Sequence, residues 1–72
     1  MIKVYSKPHC SKCDMLKRWL EIKKIEFTEV NIMEDEGSLS KLRDAGRISL
    51  PVLEINEEFV DYNEFNDILD LI

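Results

Sequence analysis

Cysteine, glycine, proline and histidine are all scarce in this 72-residue chain, which has two of each of the first three and a single His9. Each scarcity excludes something. With so little glycine and proline, no stretch reads as a linker, and no repeat or low-complexity tract interrupts the chain. No apolar run approaches the roughly 20 residues a membrane-crossing helix needs, and no leader-like stretch ends in a small-residue cleavage site. Cations are also in the minority: 10 Lys and Arg against 15 Asp and Glu leave a net charge of −5. A phosphate-binding surface would be basic, so nucleic acid is not an expected partner. What is present, 44% hydrophobic and 35% charged residues, reads as one soluble globular domain spanning residues 1–72. The expectation is a cytoplasmic monomer. In a reducing compartment a permanent disulfide staple is disfavoured, so a cysteine pair there points to redox chemistry or to metal.

The two cysteines form Cys10-Ser11-Lys12-Cys13, just after the alternating run Ile2-Lys3-Val4-Tyr5. Alternation predicts a strand, and Ser6-Lys7-Pro8-His9 breaks it. From about Ser11 to Lys24 the apolar residues Cys13, Leu16, Trp19, Leu20 and Ile22 recur at roughly helical spacing. Cys13 shares a stripe with Leu16 and Leu20 and is expected to face inward, which leaves Cys10 as the exposed sulfur. A second strand is expected over Glu26 to Ile32, followed by an acidic solvated loop from Met33 to Ser38. Ser38 is expected to cap a short helix that stops at Gly46. Pro51 to Ile55 and Glu58 to Val60 read as a hairpin turning at Asn56-Glu57. Asp61 with Glu64 reads as a capping box that opens a last helix through Phe65, Ile68, Leu69 and Ile72. The pattern is βαβαββα, an α/β fold with a parallel first strand pair and an antiparallel last one.

Three residues apart on a first helical turn, two sulfurs can meet and close a disulfide. The helix N-terminus favours a thiolate at the outer sulfur, and cationic Lys7 and Lys12, with His9 when protonated, add to this tuning. Cys10 is therefore expected to be more acidic than a free thiol, and the pair more oxidising than thioredoxin's. Metal is the competing reading. Structural zinc needs four ligands, whereas Cys10, Cys13 and His9 supply three crowded into five positions. A cluster bridging two copies stays open. Tyr5, at the strand end, reads equally as lining the groove beside the thiols, as a substrate-binding residue, or as structural. Trp19 reads as core, and Tyr62 equally as packing or as part of a ligand groove.

Val4-Tyr5-Ser6-Lys7-Pro8-His9-Cys10-Ser11-Lys12-Cys13 closely resembles the opening of glutaredoxins and NrdH-type redoxins, and Ser49-Leu50-Pro51-Val52 resembles their segment before the third strand. The likeness implies a minimal thioredoxin fold, a four-stranded mixed sheet flanked by three helices. It implies a cis peptide bond at Pro51 beside the cysteine pair, with the two residues Leu50 and Pro51 binding substrate and the Leu50 backbone pairing with that of the incoming disulfide. It assigns Cys10 as the attacking nucleophile and Cys13 as the resolving thiol. No bound organic cofactor is implied, only the redox-active disulfide. The implied partners are protein disulfides such as that of ribonucleotide reductase, with a thioredoxin-type reductase or glutathione as electron donor. The sequence also departs from glutaredoxins. Val60 and Asp61 replace the Gly-Gly pair that accommodates glutathione, and Ile48 stands where many members place a basic residue. The aromatic-rich C-terminal stretch of NrdH-type members is absent as well. A glutathione-dependent glutaredoxin and a metal or iron–sulfur module remain the alternatives.

Overall fold

The computed structural model describes residues 1–47 and 49–72. Four strands and three helices run in the order β1 (Ile2–Ser6), α1 (Ser11–Ile22), β2 (Thr28–Asn31), α2 (Glu36–Asp44), β3 (Val52–Ile55), β4 (Glu58–Val60) and α3 (Asp67–Leu71). The strands assemble in the order β2-β1-β3-β4. β1 pairs parallel with β2, from Lys3 opposite Thr28 to Ser6 opposite Asn31, and antiparallel with β3. The expected βαβαββα architecture is the one observed.

Strand alternation sorts the core into two layers. Val4, Leu53 and Ile55 meet Leu16 and Leu20 of α1 and Ile68 of α3 on one face of the sheet. Tyr5 and Val52 meet Ile32 and Leu42 on the other, under α2. Leu16 and Leu20 are fully buried, and each such side chain contributes roughly 1.5–3 kcal/mol. Ile22 is not on that stripe. Two positions after Leu20 it swings to the opposite side of the helix and is 69% exposed.

Both long helices end in the same way. Lys24 takes a left-handed φ of 59°, its N–H bonds Glu21 O at 3.0 Å, and Ile25 N–H reaches Leu20 O at 2.9 Å. This Schellman turn stops α1 before the expected Lys24. At the end of α2, Gly46 (φ 72°) makes the equivalent turn, and Arg47 N–H bonds Leu42 O at 2.8 Å. Gly46 is thus the stop that the sequence suggests, and its turn aims Arg47 toward Asp61 in the loop after β4.

Two caps differ from expectation. Asp35, not Ser38, caps α2. Its carboxylate accepts from Ser38 N–H at 3.3 Å and Ser38 Oγ at 2.9 Å, so the acidic loop is partly the first turn of the helix. Asp61 does not open α3 either. It pairs with Arg47 across the fold, and a local cap competes poorly with a full guanidinium fork. Asp67 Oδ2 gathers the N–H groups of Asn63 and Glu64, both at 3.1 Å, through a turn that leads into a shorter α3. Of the apolar residues expected to anchor that helix, Ile68 is fully buried, while Leu69 and Ile72 are 44% and 54% exposed. β2 is likewise shorter than Glu26 to Ile32, because only Thr28–Asn31 pair along β1.

Candidate active site

Pro8 and His9 turn the chain out of β1, and His9 adopts a left-handed φ of 58° immediately before the motif. Cys10 is the N-cap of α1, with extended backbone angles (φ −110°, ψ 103°). Its sulfur accepts the N–H of Cys13 at 3.2 Å. A serine or aspartate would normally hold this position. A sulfur placed there receives an amide donor and the positive end of the helix dipole together. Cys10 and Cys13 form a disulfide with their Cα atoms 5.3 Å apart. Cys13 has no exposed surface, whereas Cys10 is partly exposed.

The Leu50–Pro51 peptide bond is cis. Pro51 borders two depressions. One, about 160 Å³, is lined by Lys12, Met15, Tyr62 and Phe65 as well. The other, about 470 Å³, runs between the end of α2 and the loop after β4, past Arg47, Ser49, Asp61 and Tyr62. Tyr62 is common to both, and its ring leans on Phe65 with centroids 6.0 Å apart. Partial burial raises the Tyr62 hydroxyl pKa. Among the described residues no three His, Cys, Asp or Glu side chains gather as metal ligands.

The comparisons with known proteins agree with this arrangement. The glutaredoxin family profile matches residues 2–60. The glutaredoxin-like protein NrdH of Lactococcus lactis subsp. cremoris is 40% identical over 53 residues, 74% of each chain. The chain belongs to the glutaredoxin family. A glutaredoxin-like protein of the Clostridium pasteurianum rubredoxin operon is 34% identical over 61 residues, covering 83% of this chain and 81% of that one. The Escherichia coli NrdH-redoxin structure superposes with a TM-score of 0.85 over 99% of this chain and 93% of its own, at 24% identity, a likeness of fold. Thiol–disulfide oxidoreduction through Cys10 and Cys13 is the chemistry of this glutaredoxin-family chain.

The other expected site residues divide. Lys12 lies on the exposed first turn of α1 and lines the smaller depression with Pro51. Lys7 is exposed in the loop before the motif. Leu50 is partly buried, against the Tyr5 layer. Tyr5 is not at the groove. It is 2% exposed, its hydroxyl donates to Glu54 Oε1 at 3.0 Å, and its ring meets Phe59 edge-on with centroids 5.8 Å apart. Its position on β1 points it away from the α1 face, so it has no surface to offer a substrate. Trp19 packs against the α1 core layer and Phe65, as expected of core. Ile48, noted for its lack of charge, lies outside the described residues.

Two polar clusters were not read from the sequence. Glu54, 2% exposed in β3, accepts from both Tyr5 and Lys41 Nζ, the latter at 2.7 Å. Burial pushes its pKa up, but the bonds from Lys41 and Tyr5 outweigh this and hold it below the usual carboxylate value. A lone carboxylate inside Val52-Leu53-Glu54-Ile55 was the available signal, since a buried charge requires a partner. Beneath α1, Glu29 accepts from Lys17 at 2.6 Å and from Ser6 at 2.8 Å, and these bonds hold its pKa low. Ser6 is 1% exposed, so its hydroxyl ties the end of β1 to β2 just before the cysteine loop.

Proposed function

We propose that this chain is a dithiol electron carrier that reduces disulfides in a protein partner, with Cys10 as the attacking thiol and Cys13 as the resolving thiol. The observation that carries the reading is the asymmetry of the pair. The partly exposed Cys10 caps the helix N-terminus, and Cys13 is wholly buried. The Cys10 thiolate attacks one sulfur of the partner disulfide; a Cys10–partner disulfide forms and the partner's other sulfur leaves as a thiolate. Cys13, once deprotonated, attacks Cys10 sulfur, closing the Cys10–Cys13 disulfide and expelling the second partner thiolate. Two electrons pass to the partner, and the two thiolates take up two protons. An external dithiol reductase returns the pair to its reduced form, with no bound organic cofactor.

A thioredoxin-type reductase fits as donor better than glutathione, because Val60 and Asp61 occupy the Gly-Gly position and Asp61 adds a carboxylate where glutathione would bring its own. The kinship with NrdH supports ribonucleotide reductase as the protein disulfide served, and the net charge of −5 disfavours nucleic acid as a partner. No helix is long and apolar enough to cross a membrane among the described residues. The test is a Cys13→Ser variant presented with oxidised ribonucleotide reductase. It should accumulate a mixed disulfide through Cys10, and full-rate turnover by this variant would contradict the assignment. Parallel assays of reduction by thioredoxin reductase and by glutathione decide the donor.

A further inference from the structure

The groove beside Pro51 carries a feature that the dithiol chemistry does not require. Among its described lining residues Arg47 is the one cation and Asp61 the one anion, and the two are joined. Both terminal guanidinium nitrogens are engaged: Nη1 bonds Oδ1, and Nη2 reaches Oδ2 at 3.3 Å. The guanidinium also lies 5.6 Å from the centroid of the Phe59 ring, which anchors it from behind. The Arg47 side chain is 28% exposed against 84% for Asp61, so the carboxylate is the partner that faces solvent. Its pKa is held low by Arg47, so it stays ionised at neutral pH.

We propose that the Arg47–Asp61 pair is a charge filter on the substrate groove, selecting disulfide segments with neutral or basic neighbours and rejecting those with acidic ones. The proposal rests on the reading of this site as one that reduces protein disulfides, and it names the class of segment accepted. The physical argument has two parts. A planar guanidinium bound through both arms to a carboxylate has its fork occupied, so an incoming carboxylate must displace Asp61 to gain the same contact. Meanwhile the exposed Asp61 carboxylate repels an acidic side chain at the rim and attracts a basic one. Like-charge juxtaposition of this kind is a means of discrimination in its own right. The Schellman turn at Gly46 supplies the positioning, because it aims Arg47 from the end of α2 at the loop after β4.

The test measures kcat/KM for three otherwise identical peptide disulfides that carry Glu, Gln or Lys beside the reacting cysteine. The wild-type chain should prefer Lys over Gln and Gln over Glu. Asp61→Asn should raise the Glu-to-Gln ratio by about three- to tenfold at low ionic strength, the scale of one partly screened charge contact, and the gain should fade in high salt. Arg47→Gln placed in the Asp61→Asn background should reduce the gain to the share that comes from lost repulsion, since the freed guanidinium supplies the rest. A ratio that stays within about twofold in Asp61→Asn, or a gain undiminished by the loss of Arg47, would overturn the filter. Failure of the underlying redox reading is distinguishable, because then no peptide undergoes exchange with any variant.

Discussion

Removing the Glu54 carboxylate should destabilise the fold more than removing either of its partners. Glu54→Ala strips the acceptor from Tyr5, whose hydroxyl is buried with its ring. An orphaned buried hydroxyl costs about 1–3 kcal/mol, and losing one buried methylene costs roughly 0.8 kcal/mol more. Lys41 adds little to this sum, because its half-exposed ammonium returns to water when its partner goes. The expected loss is therefore about 2–4 kcal/mol. A 72-residue domain holds in total about 4–11 kcal/mol, so this is a large fraction. Glu54→Gln keeps an acceptor and the side-chain stem, and should cost less. Tyr5→Phe leaves Glu54 with Lys41 and should cost about 1 kcal/mol. Urea unfolding followed by circular dichroism reads all three, together with the Tyr5→Phe/Glu54→Ala double variant. In the Tyr5→Phe background Glu54→Ala should cost less than in wild type, by the coupling between the two groups. A Glu54→Ala loss under about 0.5 kcal/mol, or additive single effects, would refute the claim that this buried contact matters.

Acid should unfold the protein through the same carboxylates. The pKa values of Glu29 and Glu54 are depressed in the folded state, so their stabilisation is present above the unfolded carboxylate value and is lost as pH falls through the folded one. Urea midpoints should fall below about pH 4.5, and Glu54→Gln should show a shallower fall than wild type. The hairpin turn at Asn56 (φ 50°) and Glu57 (φ 71°) puts a side chain with a Cβ in left-handed conformation. Glu57→Gly should raise stability by about 0.5–1 kcal/mol, measured as a Tm increase of a few degrees; a lower Tm would contradict the turn geometry. In a Cys13→Ser variant the pH midpoint for Cys10 alkylation should lie below the roughly 8.5 of a free thiol, and Lys12→Gln should move it upward. A midpoint at or above the free-thiol value would remove the helix N-terminus as a source of activation.

Legibility followed the range of the forces involved. The cysteine pair, the α1 stripe of Cys13, Leu16 and Leu20, the Asn56-Glu57 turn and the Gly46 stop all depend on neighbours within a few positions, so periodicity and turn chemistry reveal them. Caps were harder. Asp35 and Ser38 stand three apart and either could start α2; the choice depends on where the chain leaves β2. Asp61 followed by Glu64 obeys the local capping pattern, yet Arg47, 14 residues away, offers a charged partner that no local pattern includes.

What the sequence by itself determined is the chemistry and the order of elements: a Cys-x-x-Cys at a strand-to-helix junction, with the inner sulfur on the apolar stripe. Only the tertiary structure decided which residues surround that pair. Tyr5 alternates onto the α2 face of β1 and is committed to Glu54, away from the thiols. Arg47 and Asp61 meet because the end of α2 and the loop after β4 border one groove. The physical reason is common to both. Reactivity of the sulfurs is set within one helical turn, whereas a substrate surface is assembled from segments that only folding brings together.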